Sequence, residues 1–240
     1  MKNSPSSPIL GILGGLGPMA TVYFYEMIIS HTKAEKDQDH IDIVINSRAT
    51  TPDRTAYIMG KSSENPLRIM VEDSKRLKEY GVTLLAIPCN TAHYFYDMLT
   101  DAIDIPFLNI MDETASYLES KGIKKAGVRA TEGTVISKTY HRYLEAHGIE
   151  CVVPDEEHQK LITEVIYDNI KMGKPADMEK FMKAANYLLE NGAEKLILGC
   201  TELSLVKKQE CLDTRFVDSL EVLAKKAIEA CGKECTGFDL

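Results

Sequence analysis

Two cysteines in this 240-residue chain stand in matched polar settings, each at the end of an apolar run. Residues 82–87 (VTLLAI) lead into Pro88-Cys89-Asn90-Thr91, and residues 195–198 (KLIL) lead into Gly199-Cys200-Thr201-Glu202. A thiol ordinarily titrates near about pH 8.5. The turn from a strand into a helix presents backbone N–H groups that can hold a thiolate or a carboxylate. Two thiols in such turns can work as acid and base, one accepting a proton while the other delivers one. Asn90, Thr91 and Thr201 add directional hydrogen bonds without charge, and Glu202 sits where it can orient or tune Cys200. A single cysteine is most often a small core hydrophobe; the repeated context is what separates these two from that reading.

Other candidates are weaker one by one. Pro52-Asp53-Arg54-Thr55 reads as a turn, and an arginine in a loop over a cleft can clamp a carboxylate with two parallel hydrogen bonds. Arg48 is a second candidate for that task, although a solvated surface arginine is the commoner case. Lys171, just before Gly173, is equally a routine partner for a helix C-terminus. Thr131 in Ala130-Thr131-Glu132-Gly133-Thr134 is suited to capping the helix that follows. His93 lies one helical turn after Cys89, where it can tune the thiol or lie on a helix surface. The six histidines form no HxxxH or HExxH pattern, so no metal site is expected. Gly14-Gly15-Leu16-Gly17-Pro18 is a poor phosphate loop, because Pro18 lacks an N–H and no GK[ST] follows. Its glycines are better suited to letting backbone approach a small ligand.

These residues need elements to position them. Apolar runs at 9–13, 41–45, 82–87, 105–110, 126–130, 149–153 and 195–198 read as strands of the buried parallel type. Helical spacing fills the intervals, at 19–28, 67–80, 112–120, 137–147, 161–171 and 177–190. Strands alternating with helices imply parallel sheets. The helix–Gly–strand–Cys grammar occurs twice, at Gly81 and at Gly192. The chain therefore reads as two similar α/β lobes, with a thiol from each at the carboxyl end of a strand, where ligands of such sheets bind.

Composition bounds the remaining classes. The formal net charge of −8 argues against general attraction to nucleic acid or anionic membrane. The polar, Pro/Ser-rich start does not resemble a signal peptide, and no run approaches the roughly 20 apolar residues of a membrane span. A cytoplasmic protein with reduced thiols is expected, and none of the six cysteines shows CxxC spacing.

Taken together, GILGGLGPMAT (11–21), PDRTAYI (52–58), IPCNTAH (87–93), ATEGT (130–134) and LGCTEL (198–203) resemble the aspartate/glutamate racemase family, and the aspartate racemases most closely. The resemblance runs over nearly the whole chain. It implies two pseudo-symmetric α/β domains with mainly parallel sheets and an active-site cleft between them. Residues 1–110 plus 212–240 would form the first domain and 111–211 the second. It implies racemisation of an amino acid without pyridoxal phosphate or metal, by a two-base mechanism in which Cys89 and Cys200 match the catalytic pair. Asn90, Thr91 and Ala92 match the substrate-binding segment after the first cysteine. Asp53, Arg54 and Thr55 match the loop that holds the acidic side chain, Lys171 matches a lysine near the substrate, and Thr131 and Thr201 complete the expected set. A homodimer acting on a small-molecule substrate is also implied. The segment 47–51 is about one residue longer than in aspartate racemases and adds Arg48, which bears on side-chain selectivity. Glutamate or broad-specificity racemases of the same fold, and a non-catalytic amino-acid-binding protein, are the alternatives.

Overall fold

A computed structural model describes residues 8–238. The polar leader at 1–7 lies outside the described residues. The first half of the chain contains β1 (Leu10–Gly14), α1 (Pro18–His31), β2 (Ile43–Ser47), α2 (Arg54–Ile58), α3 (Leu67–Glu79) and β3 (Leu84–Ala86). A 3-10 turn at Thr91–Phe95 then leads into α4 (Tyr96–Ala102), β4 (Phe107–Leu108) and α5 (Ile110–Ser120). The second half contains β5 (Lys125–Arg129), α6 (Glu132–Ile136), α7 (Thr139–Ala146), β6 (Glu150–Val152) and α8 (Glu156–Glu164). After it come α9 (Met178–Glu190), β7 (Lys195–Leu198), α10 (Thr201–Glu210), β8 (Phe216–Asp218) and α11 (Ser219–Ala230).

The strands form two four-stranded sheets, ordered β2-β1-β3-β4 and β6-β5-β7-β8, and every pairing is parallel. The second sheet repeats the order of the first, as the sequence echo requires. Helices cover the faces, which is why the central strands read as unbroken apolar runs. Gly11 in β1 pairs with Leu85, and Gly127 in β5 pairs with Leu196. A methyl group at either glycine would collide with packed side chains, 2.6 Å from Val82 Cγ1 in one sheet and 2.8 Å from Leu196 Cδ2 in the other. The equivalence of the two sheets thus extends to single residues.

The halves exchange helices. α5 leaves the first sheet and packs on α7 and α11, whereas α11 leaves the second sheet and packs on α1 and β4. One apolar core runs through this exchange, from Leu10, Ile12 and Phe24 through Ile110 and Leu118 to Val128, Ile197, Leu220 and Ile228. β8 is hydrogen-bonded to β7, so the second sheet reaches into the 212–240 segment before α11 crosses back.

The structure departs from sequence expectation in two places that bear on the site. Residues 52–55 are not a free turn: Asp53 caps α2, its Oδ1 accepting from Ala56 N–H at 2.7 Å. The helix expected over 161–171 begins earlier, at an Asp155 cap, and regular α-helix stops at Glu164. A π-helical turn (Val165–Asn169) and a 3-10 turn (Ile170–Met172) follow, ending on Gly173 at φ +71. Among the described residues no helix is long and apolar enough to cross a membrane.

Candidate active site

The segments leaving β1, β3, β5 and β7 converge on one small cavity, lined in turn by Leu16, Cys89, Thr131 and Cys200. The first half adds Asp53, Arg54, Thr55, Asn90 and Thr91, and the second adds Tyr167, Lys171, Thr201 and Glu202.

Cys200 precedes the first turn of α10 and is buried. Its Sγ donates to Glu202 Oε2 at 2.9 Å, and Glu202 Oε1 lies 3.4 Å from Lys171 Nζ. Burial first, and the Glu202 carboxylate second, push the Cys200 thiol well above its ordinary pKa, against a smaller opposite pull from Lys171. It is a thiol at neutral pH. Burial lowers Lys171, but the charge of Glu202, and then that of Cys200 when it is ionised, outweigh it and hold the ammonium above its ordinary value. Its Nζ also stands 4.9 Å from the centre of the Tyr167 ring, a cation–π distance. Tyr167, with its hydroxyl pushed up to about 12 mainly by burial, comes from the π-helical turn and Lys171 from the 3-10 turn. Irregular turns of this kind recur at functional sites.

Cys89 is held differently. Its carbonyl accepts from His93 Nδ1–H at 2.9 Å, and His93 Nε2 accepts from Ile110 N–H at 3.2 Å. Burial lowers His93 to about 4, so the ring is neutral and the Ile110 bond fixes its tautomer. His93 therefore ties the backbone of Cys89 to the start of α5. It lies in the interior, not on a helix surface, and its hydrogen bonds go to main chain rather than to the thiol.

A seam of hydroxyls joins the two halves at the cavity. Thr91 Oγ1 is 3.0 Å from both Thr131 Oγ1 and Thr134 Oγ1, and Thr55 Oγ1 donates to Thr131 Oγ1 at 3.2 Å. Thr131 also caps α6, as expected. Asn90 reaches across to the second half, accepting from Tyr140 Oη at 2.6 Å and donating to Ser219 Oγ at 3.0 Å. Its side chain is largely committed to joining the halves.

At this cavity, Arg54 is a cation with no ion pair among the described residues. It is buried, donating from Nη2 to Leu16 O at 2.8 Å and from Nη1 to Pro52 O at 3.0 Å. Among the described residues no carboxylate pairs with it, and its Nε has no partner. Two expected residues stand apart. Arg48 turns away to α3, with Nη2 2.9 Å from the buried Asp73, and Ala92 is packed in the core of the first half. The sequence reading missed Leu16 and Tyr167; the one available signal for Tyr167 was its place four residues before Lys171. The glycine loop also differs from expectation, because protein atoms fill the space its missing side chains leave. Arg48 backbone lies 2.5 Å from a Cβ built on Gly15, which has φ +83, and Glu202 Oε1 lies 2.8 Å from one built on Gly17.

Known proteins share this fold. The family model described as Asp/Glu/Hydantoin racemase matches residues 13–227. The chain is 28% identical over 229 residues to the broad specificity amino-acid racemase RacX of Bacillus subtilis, covering 92% of this chain and 96% of that one. The structure of Picrophilus torridus aspartate racemase superposes with a TM-score of 0.80 at 31% identity, covering 95% of this chain and 96% of the other. That of an aspartate racemase homologue from Pyrococcus horikoshii OT3 does so with a TM-score of 0.75 at 26% identity, covering 94% and 99%.

Proposed function

The chain belongs to the Asp/Glu/hydantoin racemase family, and on that premise we propose that it interconverts L- and D-aspartate by moving one proton off, and another onto, opposite faces of the α-carbon. The observation that carries this reading is the convergence of two thiols, from equivalent strand ends of the two halves, on one small cavity. Inversion needs one acid–base group on each face, and a repeated fold supplies one from each repeat.

In this mechanism Cys200 starts as the thiol, kept protonated by burial and by Glu202, and Cys89 starts as the thiolate. Cys89 removes the α-proton; the electron pair left on the α-carbon is delocalised into the carboxylate. Cys200 then delivers its proton to the other face, and the opposite enantiomer leaves with the thiol and thiolate exchanged. Backbone N–H groups at residues 90, 91 and 201 and the threonine hydroxyls hold the α-carboxylate as charge builds on it. Arg54, with no acid of its own, pairs with the side-chain carboxylate. Lys171 lies near enough to both thiols to favour whichever is a thiolate. The first domain is taken as 1–110 plus 212–240 and the second as 111–211, with a homodimer in the cytoplasm as the working assembly.

Glutamate or broad-specificity racemisation is the second reading, favoured by the similarity to RacX over nearly the full chain. One methylene is worth only about 1–3 kcal/mol in a pocket. Incubation of the protein in D2O with each enantiomer of aspartate and of glutamate, without pyridoxal phosphate, tests both by NMR. Deuterium incorporation at the α-carbon with inversion, fastest for aspartate, is the expected result. Faster exchange of glutamate would transfer the assignment to the second reading, and absence of exchange with all four would remove the reaction.

A further inference from the structure

Gly17 closes the turn from β1 into α1, and nothing in the proposed reaction uses it. The backbone does not demand a glycine there. Gly17 has φ −108 and ψ 144, extended geometry open to any residue. The helix it opens does not demand one either. α2, α5, α6, α8, α9 and α11 each begin on a side chain that accepts from a backbone N–H of the first turn, whereas α1 begins on Gly17 without one. Serine, asparagine or aspartate would make the better cap. β5 holds in its sheet the place that β1 holds in the other, and the helix after β5 is capped by Thr131. Such a turn therefore accepts a side chain, and the first half leaves it out.

The space left by the glycine is taken by one carboxylate. A Cβ on Gly17 would stand 2.8 Å from Glu202 Oε1 and 3.9 Å from Glu202 Cδ, so the obstruction is the tip of a single side chain. Oε1 is also the oxygen that faces Lys171 Nζ at 3.4 Å, and Oε2 of the same group accepts from Cys200 Sγ at 2.9 Å. The buried carboxylate is planar, so its two oxygens cannot move separately. Ordinary contact with a Cβ begins at about 3.4 Å, so a side chain at residue 17 would drive Oε1 back and carry Oε2 with it. A separation of 2.9 Å to sulfur leaves no room for a closer approach, so the bond to Cys200 lengthens.

We propose that Gly17 is a positioning residue for Cys200: its bare backbone, in the first half, sets the Glu202 carboxylate against the thiol of the second. This rests on the reading of Cys200 as an acid–base group. The charge and the hydrogen bond of Glu202 both raise the Cys200 thiol. A residue that fixes where the carboxylate stands thus also fixes how readily the thiol gives up its proton.

Gly17→Ala, Glu202→Gln and the double variant test this in the intact protein. The readouts are the pH profile of Cys200 alkylation, followed by mass spectrometry of its peptide, and kcat and KM for aspartate. In G17A the alkylation midpoint should fall by about one unit. Its kcat should fall about 10–100-fold with KM within about twofold. Glutamine keeps the shape of Glu202 and lacks its charge, so adding G17A to E202Q should leave the alkylation midpoint of E202Q where it is. A wild-type alkylation profile in G17A would overturn the proposal, and so would an equal shift with and without the Glu202 charge. Alkylation needs no substrate, so the profile decides even if no amino acid is racemised, an outcome that would remove the reaction and leave this contact standing. If G17A does not fold, Gly17→Ser takes its place, since it carries the same Cβ and supplies α1 with a cap.

Discussion

Cys89 and Cys200 close equivalent strands of two sheets with the same order, yet they are held in different ways. The Cys89 segment is fixed through its main chain by a neutral histidine. The Cys200 side chain is engaged directly by Glu202, which in turn faces Lys171. Repetition of the fold therefore gives two thiols similar positions, and the side chains that follow them give those thiols different surroundings.

The largest test breaks the pair. Cys89→Ser and Cys200→Ser should each lower racemisation by about 10²–10⁴-fold, measured by polarimetry or chiral chromatography; a wild-type rate in either variant would end the two-thiol reading. Arg54→Lys keeps the charge and loses the planar fork, so kcat/KM for aspartate should fall about 10–100-fold, mostly through KM. Glu202→Gln sharpens the contrast between the walls. It removes a charge that raises the Cys200 thiol and leaves Lys171, which lowers it, so the pH midpoint for alkylation of Cys200 should move down while burial keeps it above the ordinary range. The sign for stability follows from the same shift. The buried Cys200 thiol contributes fully below about pH 8.5, where the unfolded chain is also protonated, and the contribution is lost as pH rises toward the folded value. Denaturation midpoints above that pH should therefore fall more steeply in the wild type than in Cys200→Ala. His93→Gln acts on the other wall, and loss of its paired bonds should lower stability by about 1–3 kcal/mol in urea titrations. The smallest effect is expected from Arg48→Gln, which should leave the aspartate-to-glutamate ratio of kcat/KM within about twofold, since the surface of α3 takes up that side chain.

Much of this site is legible in the sequence, because buried parallel strands are written as apolar runs and each functional turn begins where a run stops. The run at 195–198 coincides with β7, and the helix expected over 67–80 is α3 to within one residue. Boundaries drift where side-chain pattern and hydrogen bonding part company: the run at 41–45 signals β2, but the ladder occupies Ile43–Ser47. The π-helical turn left no mark in the hydrophobic period, so Tyr167 was hidden inside what reads as ordinary helix. Arg48 and Ala92 show the converse limit. Motif position placed both beside the substrate, whereas side-chain direction, fixed by Asp73 in one case and by core packing in the other, is a tertiary property. The glycine loop was legible as close backbone approach, but the approaching atoms belong to residues far along the chain.

The exchange of α5 and α11 has a consequence for how this molecule can be taken apart. A cut in the loop after α5 would yield one fragment carrying α5 without α7 beneath it and another carrying α11 without α1. Each would expose the apolar surface that the other was built to cover. The repeated halves are thus not separable modules: although the pattern looks duplicated, the unit that folds is the pair. Its heat absorption should form one cooperative peak rather than two.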